Sequence, residues 1–380
     1  MAVKRLLILP GDGIGTEILV QTRRVVDWFI ARRGLDVDLR EELFGIPAWR
    51  AHGSLMRNQT WAEIEAADAI LFGATGSPEY DTLPVEAREG HALMRMRVDL
   101  NLFINLRPVR AHAPLAAVSP LRPEILRGTN LVIVRELTGG LYIGKPRGIE
   151  TIGGVRRGVN TMTYDEPEIE RIARAAFELA RTRSGKVCSV DKSNVLETSR
   201  LWREVVQALH DTEYSDTELS HLFVDNAAMQ LVRAPAQFDV MLMENLFGDI
   251  LSDIGAAVAG SIGMLPSASM NGMHADGTAR HRALYEPIHG SAPDIAGKGI
   301  ANPCGAILSF AMCLRHTFLR PDDAALLEDA TIRAIESGAR TADIALPGRP
   351  PVSTVAMGDA ILRELDAVGS RAAARLTRAP

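Results

Sequence analysis

The chain begins with a strand, a glycine turn and a helix, and this unit restricts the fold more than any other feature. Lys4–Leu9 is an apolar run of strand length, Pro10-Gly11-Asp12-Gly13-Ile14-Gly15 is a turn, and Thr16–Arg33 is an amphipathic helix that stops at Gly34. The alternation continues. Asp36–Glu42 reads as a second strand, Thr60–Ala67 as a short helix, and Ala69–Gly73 as a buried strand closed by Ala74-Thr75-Gly76. Strands alternating with helices require an α/β sheet. Strand, glycine turn and helix is also the layout of a phosphate cradle. The glycines fall at 11, 13 and 15, however, and Thr16 stands where the third glycine of the dinucleotide fingerprint belongs. The turn is equally a tight structural turn or a cofactor contact.

At 380 residues and 47% hydrophobic composition the chain is too long for one simple domain, so two domains or one two-lobed unit are expected. A net charge of −5 without a basic block argues against nucleic acid as a partner. The apolar runs are too short to span a membrane. Met1–Pro10 is expected to be a strand rather than a signal peptide. Cys188, Cys304 and Cys313 are odd in number and lack metal spacing, which suggests buried thiols in a reducing, cytoplasmic setting.

The residues that carry chemistry lie further along. Phe238–Met243 reads as a buried strand leading into the helical stretch Glu244–Asp253. Asp249 and Asp253, four apart, share one helix face. Two bare carboxylates there either face water or flank a divalent cation with oxygen ligands. Arg97, Arg107 and Arg135 are side chains suited to gripping carboxylates, although each taken alone is equally a surface arginine. Asn130–Val134 is a strand, and Gly139-Gly140 permits a sharp turn that presents Arg135 and Tyr142 to one cavity. Lys192 ends the strand Lys186–Val190 inside a polar cluster, as a base or a surface lysine. Gly148–Thr163 looks like an exposed hairpin arm, and His221–Asp225 like a strand ending in an acid, followed by helix Asn226–Val232. Met270–Arg282 reads as a long polar loop. Tyr285–Pro303, rich in Gly and Pro, reads as a loop whose backbone approaches something closely. Helices are expected over Glu166–Thr182, Ala306–Phe318, Asp323–Ser337 and Thr354–Val368.

Taken together, several stretches resemble the metal-dependent β-decarboxylating dehydrogenases, a family acting on 3-isopropylmalate, isocitrate, homoisocitrate, tartrate and D-malate. They are Gly11–Gly15, Arg97 with Asn105-Leu106-Arg107-Pro108, Arg135–Tyr142, Val190–Val195, Asn245–Asp253 and His289–Asn302. The wording is nearest the isopropylmalate branch, including Gly338–Asp343 and Ser353-Thr354. The resemblance implies a two-lobed α/β fold with a mixed sheet, distinct from the Rossmann fold, and an active-site cleft between the lobes. Residues 1–102 plus 260–380 would form the cofactor lobe, and 103–259 the substrate, metal and dimerisation lobe with an arm near 148–163. It also implies a homodimer with shared sites. Asp249 and Asp253 would ligate Mg²⁺ or Mn²⁺ with Asp225 of the partner subunit, which also borders the substrate. Arg97, Arg107 and Arg135 would hold the malate carboxylates. Tyr142 and Lys192 would be the acid/base pair, Lys192 reaching across the interface. The cofactor would be held by Ile14, Asn194, Glu286, His289, Gly290, Ser291, Ala292, Asp294 and Asn302.

Specificity should come from Leu93 and Met94, just before Arg97, where family members meet the group on C3. Apolar side chains favour an alkyl substituent and would leave a third carboxylate unpaired, which is costly. Asp294 suits a free ribose diol and repels a 2′-phosphate, and Ile295 replaces the tyrosine of NADP-using relatives, so NAD is expected. The expected reaction is NAD-dependent oxidative decarboxylation of 3-isopropylmalate to 2-oxoisocaproate, as in leucine biosynthesis. The alternatives are the same chemistry on another 3-alkylmalate, tartrate or D-malate, or a non-catalytic paralogue, which the presence of Tyr142, Lys192, Asp225, Asp249 and Asp253 opposes. Three features depart from the isopropylmalate pattern. Arg95 either faces water or reads an extra anionic group. Gly90 stands where a Glu is usual, with Glu89 one residue off, and the 270–282 loop is long.

Overall fold

The computed structural model describes residues 3–84, 87, 92–273 and 281–376. Its strands are β1 (Lys4–Gly11), β2 (Val37–Glu41), β3 (Ala69–Ala74), β4 (Ile104–Arg110), β5 (Asn130–Glu136), β6 (Gly148–Ile152), β7 (Val155–Val159), β8 (Lys186–Asp191), β9 (Glu218–Phe223), β10 (Val240–Met243), β11 (Pro266–Met270) and β12 (Ala283–Pro287). Ten of them form one sheet in the order β2-β1-β3-β12-β11-β4-β5-β10-β8-β9. Both outer parts are parallel. At the centre, β11 runs antiparallel to β12 and to β4, and β4 antiparallel to β5. The sheet is therefore mixed, as expected. Every residue of β3 and β10 is buried, which is why both read as unbroken apolar runs rather than as alternation.

The helix Gly15–Arg33 ends where the sequence indicates: Gly34 is left-handed (φ 60°) and donates its N–H to Phe29 O. The preceding turn is built around Asp12, which is buried and accepts from Ile46 N (2.7 Å), Gly76 N (2.9 Å) and the Tyr80 hydroxyl (2.9 Å). A Cβ on Gly11 would lie 2.0 Å from Ala74 O, and one on Gly13 2.1 Å from Ser291 O. The glycines thus let three loops meet at a shared carboxylate. The turn ties loops together while its next residue, Ile14, touches the stretch expected to hold the cofactor.

Two expectations need correction. Met270 and Tyr285–Pro287 were expected in loops, yet they belong to β11 and β12 at the middle of the sheet. Ser267 and Ser269 are buried there, and Ser269 accepts from the Asn105 amide at 3.1 Å. Small polar residues with their backbone satisfied on both sides carry no apolar period. Asp225 does not end a strand. It sits in the first turn of the helix Val224–Arg233. Residues 274–280 of the long loop, and Glu89 and Gly90, lie outside the described residues.

The arm is observed as the two-stranded ribbon β6–β7, turned by Gly153 (φ 57°) and Gly154 (φ 82°). Ile149, Ile152 and Val155 on it are 70%, 56% and 69% exposed. An isolated two-stranded ribbon with apolar side chains in water is marginal by itself. Cys188, Cys304 and Cys313 are free and buried. Among the described residues no helix is long and apolar enough to cross a membrane.

Candidate active site

The site is organised by the helix Asn245–Ala259, which follows β10 directly. Its N-cap, Glu244, is buried and accepts from Leu246 N (2.9 Å) and Phe247 N (2.8 Å). This fixes the first turn, and Asp249 and Asp253 then face the same side. Gly248 lies between them and the sheet; a Cβ there would stand 2.5 Å from Arg135 Cγ, so this glycine opens the path for Arg135.

Three arginines from three elements converge. Arg135, on β5 and almost wholly buried, donates to Asp249 Oδ1 at 2.6 Å. Its Nε and Nη2 both donate to Asn245 Oδ1, at 3.0 and 2.7 Å. Arg107, on β4, donates to Asn105 Oδ1 (2.8 Å) and Ser252 Oγ (2.6 Å) and lies 3.4 Å from Asp249 Oδ1. Arg97, from the helix Ala92–Asp99, donates to Glu286 Oε1 at 2.9 Å, while its Nε is buried without a partner. Burial, and then the charge of Arg107, push the pKa of Arg135 down to about 9. Burial also lowers that of Arg107, against the pull of Asp249 and with the push of Arg97. Cations this close and this dry gain most from a bound anion.

Tyr142 completes the group. The Gly139-Gly140 turn carries it on a short 3₁₀ turn, Gly140–Tyr142, and its hydroxyl donates to Asp249 Oδ2 at 2.9 Å. Burial first, and the hydrogen-bonded carboxylate next, raise its pKa. The expectation that this turn presents Arg135 and Tyr142 together holds. Burial tends to raise the pKa of Asp249, but Arg135 and Arg107 outweigh it and the net shift is downward. Asp253 is shifted upward, by burial and by Asp249, with Arg107 opposing. Its carboxylate makes no hydrogen bond or ion pair among the described residues. Two carboxylates side by side, one uncommitted, present the hard oxygen donors that Mg²⁺ or Mn²⁺ takes. Among the described residues no three His, Cys, Asp or Glu come together as a complete metal set.

Lys192 and Asp225 form a separate patch. Lys192 Nζ donates to Asp225 Oδ1 at 2.5 Å and lies 5.7 Å from the centre of the Phe223 ring. Asp225 is 67% exposed, and Asn194 is exposed beside them. Among the described residues no hydrogen bond or ion pair joins this patch to Tyr142 or Asp249.

Of the expected cofactor residues, His289 to Asn302 follow β12, Glu286 lies within it, and Ile14 bonds to that segment. Glu286 is held by Arg97, which ties that arginine directly to the segment. His289 donates from Nδ1–H to Gly290 O (2.9 Å), which fixes the tautomer. Its Nε2 is buried and unpartnered, and burial lowers its pKa, leaving a neutral ring with a free acceptor. Ser291 O accepts from Ile14 N at 2.9 Å, and Ala292 is left-handed (φ 41°). A Cβ on Gly290 meets nothing within 4 Å. Asp294 is exposed. The Asn302 side chain is committed, donating to Asp343 Oδ2 (2.9 Å) and accepting from Cys304 N (3.0 Å). An open glycine, a left-handed neighbour and an orphaned imidazole nitrogen fit a ligand with several polar edges.

At the specificity positions, Leu93 is half-buried against the cluster that includes Met96 and Leu100. Met94 is half-buried one residue on. Arg95 stacks on the Trp61 ring at 4.0 Å and pairs with Asp99 at 3.0 Å. Sequence reasoning missed the residues that aim the arginines: Asn245, Asn105 and Ser252. All three lie in the family-like stretches 105–108 and 245–253, but nothing in the spacing assigned them to the arginines.

Residues 5–361 match the family model described as isocitrate/isopropylmalate dehydrogenase. The 3-isopropylmalate dehydrogenase 1 of Bradyrhizobium diazoefficiens is 56% identical over 362 residues, covering 95% of each chain. The 3-isopropylmalate dehydrogenase of Paramagnetospirillum magneticum is 53% identical, covering 96% of this chain and 99% of its own. The crystal structure of isocitrate dehydrogenase from Methylococcus capsulatus superposes with a TM-score of 0.82 at 32% identity, covering 96% of this chain and 99% of that one. A mixed α/β sheet bearing this arginine, tyrosine and carboxylate group is that of a β-decarboxylating dehydrogenase. The chain belongs to the isocitrate/isopropylmalate dehydrogenase family.

Proposed function

We propose that this chain is an NAD-dependent and Mg²⁺- or Mn²⁺-dependent enzyme that oxidatively decarboxylates 3-isopropylmalate to 2-oxoisocaproate in leucine biosynthesis, acting in the cytoplasm as a homodimer. The observation that carries the reaction is the convergence of Arg107, Arg135 and Tyr142 on Asp249 beside the uncommitted Asp253. Relatives more than half identical bear the name of that activity, which favours the substrate.

In this reading Arg97, Arg107 and Arg135 hold the two malate carboxylates, using the guanidinium edges left after their bonds to Asn105, Asn245 and Glu286. Leu93 and Met94 border the isopropyl group. Arg95, committed to Trp61 and Asp99, leaves that pocket without a further cation, which favours an alkyl group over a third carboxylate. Asp249 and Asp253 would hold the cation, with Asp225 of the partner subunit as third ligand; a bound cation would stabilise developing negative charge on the substrate, and NAD would be the hydride acceptor. Lys192 accepts the 2-hydroxyl proton. After the C3–carboxylate bond breaks with release of CO₂, its electron pair remains as an enolate, and Tyr142 delivers its proton to C3. His289, Gly290, Ser291, Ala292, Ile14 and the Asn302 backbone border the dinucleotide. Asp294 takes the ribose diol and Asn194 lies near the nicotinamide. The cofactor lobe comprises 1–102 and 260–380, the substrate lobe 103–259.

The test is NADH formation by purified enzyme with Mn²⁺ and NAD⁺ on a panel of 3-isopropylmalate, other 3-alkylmalates, D-malate, tartrate and isocitrate. The expected result is the highest kcat/KM on 3-isopropylmalate. A higher value on unsubstituted D-malate or on isocitrate would sink the substrate assignment, and no NADH from any of them would sink the reaction.

A further inference from the structure

A cavity of about 400 Å³ lies on the sheet face away from the active site. Successive residues of a strand point to opposite faces. On β4, Arg107 meets Ser252 and Val109 meets the Gly255 position of the helix Asn245–Ala259, so both face the catalytic helix. Leu106, Pro108 and Arg110 point the other way and line the cavity. Other walls come from segments far apart in sequence, among them Val132 of β5, Leu179 and Arg183 beyond it, Ala259 at the C-terminal end of the helix Asn245–Ala259, and Met312 of the helix Cys304–His316. The volume is in the range that holds small organic ligands.

Its chemistry is two-sided. The aliphatic side chains Leu106, Leu308 and Met312 are buried, whereas Arg110 is exposed. Of the three arginines in the lining, Arg183 is neutralised by Asp239 at 2.6 Å and Arg315 by Glu328 at 2.6 Å. Arg110 has no carboxylate partner among the described residues, and it stands beside His112, whose ring is held neutral by burial and by Arg110 itself. The lining therefore carries one arginine without a carboxylate partner among the described residues, beside buried aliphatic side chains. A neutral or cationic occupant would leave it so, and a polyanion would find only one cation to meet.

We propose that this cavity is a second binding site, which takes a small amphipathic monocarboxylate with its alkyl body between Leu106, Leu308 and Met312 and its charge at Arg110. Arg107 on β4 faces Asp249 while Leu106 faces the cavity, and the cavity meets the helix Asn245–Ala259 only at its last residue, so its occupant does not compete with the malate.

Octanoate is a suitable probe, titrated calorimetrically onto the full-length enzyme. Saturable binding is expected with a Kd below about 1 mM, unchanged by saturating malate substrate. Octanol and octylammonium should bind at least about tenfold more weakly, since neither pairs with Arg110. Arg110→Glu reverses the charge at an exposed position, and Leu308→Trp fills the chamber. Each should weaken octanoate binding by at least about tenfold while kcat without octanoate stays unchanged, which also shows that both variants fold. Absence of saturable binding, competition with the malate, or binding that survives both variants overturns the proposal.

Discussion

At the residue scale, Asp253 is held in an unfavourable place unless a cation is there. Its pKa is raised by burial and by Asp249, and among the described residues it makes no hydrogen bond. Asp253→Asn should therefore leave the metal-free enzyme as stable as before, or slightly more so, because a like-charge repulsion is removed. Added Mg²⁺ should raise the Tm of the parent enzyme, by about 2.7 kcal/mol of stability at a hundredfold excess over Kd, and should not raise that of the variant. Thermal scans with and without Mg²⁺ check this; an equal rise in both would remove Asp253 from the metal site. Asp239 makes the opposite case. Burial raises its pKa, but Ser184 and Arg183 outweigh that, and the folded value lies below the usual 3.8. A depressed carboxylate stabilises the fold above its unfolded pKa and loses that contribution as pH falls through the folded one. Asp239→Asn should cost about 1–3 kcal/mol near neutral pH. The difference from the parent should shrink as denaturation is measured below about pH 4.

At the element scale, the turn between β5 and Tyr142 is set by one wholly buried carboxylate. Glu136 accepts from Thr138 N (3.1 Å), Thr138 Oγ1 (2.8 Å) and Gly139 N (2.7 Å), with Arg171 at 3.4 Å. Gly140 is left-handed (φ 74°), and a Cβ on it would stand 2.3 Å from the Tyr164 hydroxyl. Gly140→Ala should thus cost at least about 1–3 kcal/mol in backbone strain, with a clash in addition. Glu136→Gln turns an amide donor toward backbone donors. It should lower kcat, because it moves the tyrosine, and should also raise KM, because the Asn245 amide that orients Arg135 is anchored on Leu137 O and Gly139 O of the same turn. An unchanged kcat in Glu136→Gln would show that Tyr142 is fixed by other contacts.

At the scale of the whole molecule, Lys192 with Asp225 and Tyr142 with Asp249 stand in separate patches of one chain. The exposed apolar ribbon β6–β7 suits burial against a second copy. If two chains share each site, Lys192→Ala and Tyr142→Phe are each inactive as pure proteins. Mixed and reassociated, half of the dimers are hybrids with one intact site of two, so activity should return to about a quarter of the parent level. No recovery under conditions of proven subunit exchange would place both residues in one chain's site.

What the sequence alone determines here is local and repetitive. The first strand, turn and helix, the cap at Gly34, the apolar runs of β3 and β10, and the shared face of Asp249 and Asp253 follow from periodicity and turn chemistry, because neighbours along the chain decide them. The family likeness was legible in its motifs for the same reason. The central strands β11 and β12 were not legible. Their burial is decided by partners distant in sequence, and serines satisfied by such partners look like loop. Only the tertiary structure decided which arginines lie in the dry group around Asp249, that Asn105, Asn245 and Ser252 aim two of them, and that Arg95 turns away to Trp61. Apart from Asn105, which is two positions from Arg107, each of these depends on side chains distant in sequence, up to 145 positions apart for Arg107 and Ser252, meeting in a low-dielectric space where a missing hydrogen bond is costly.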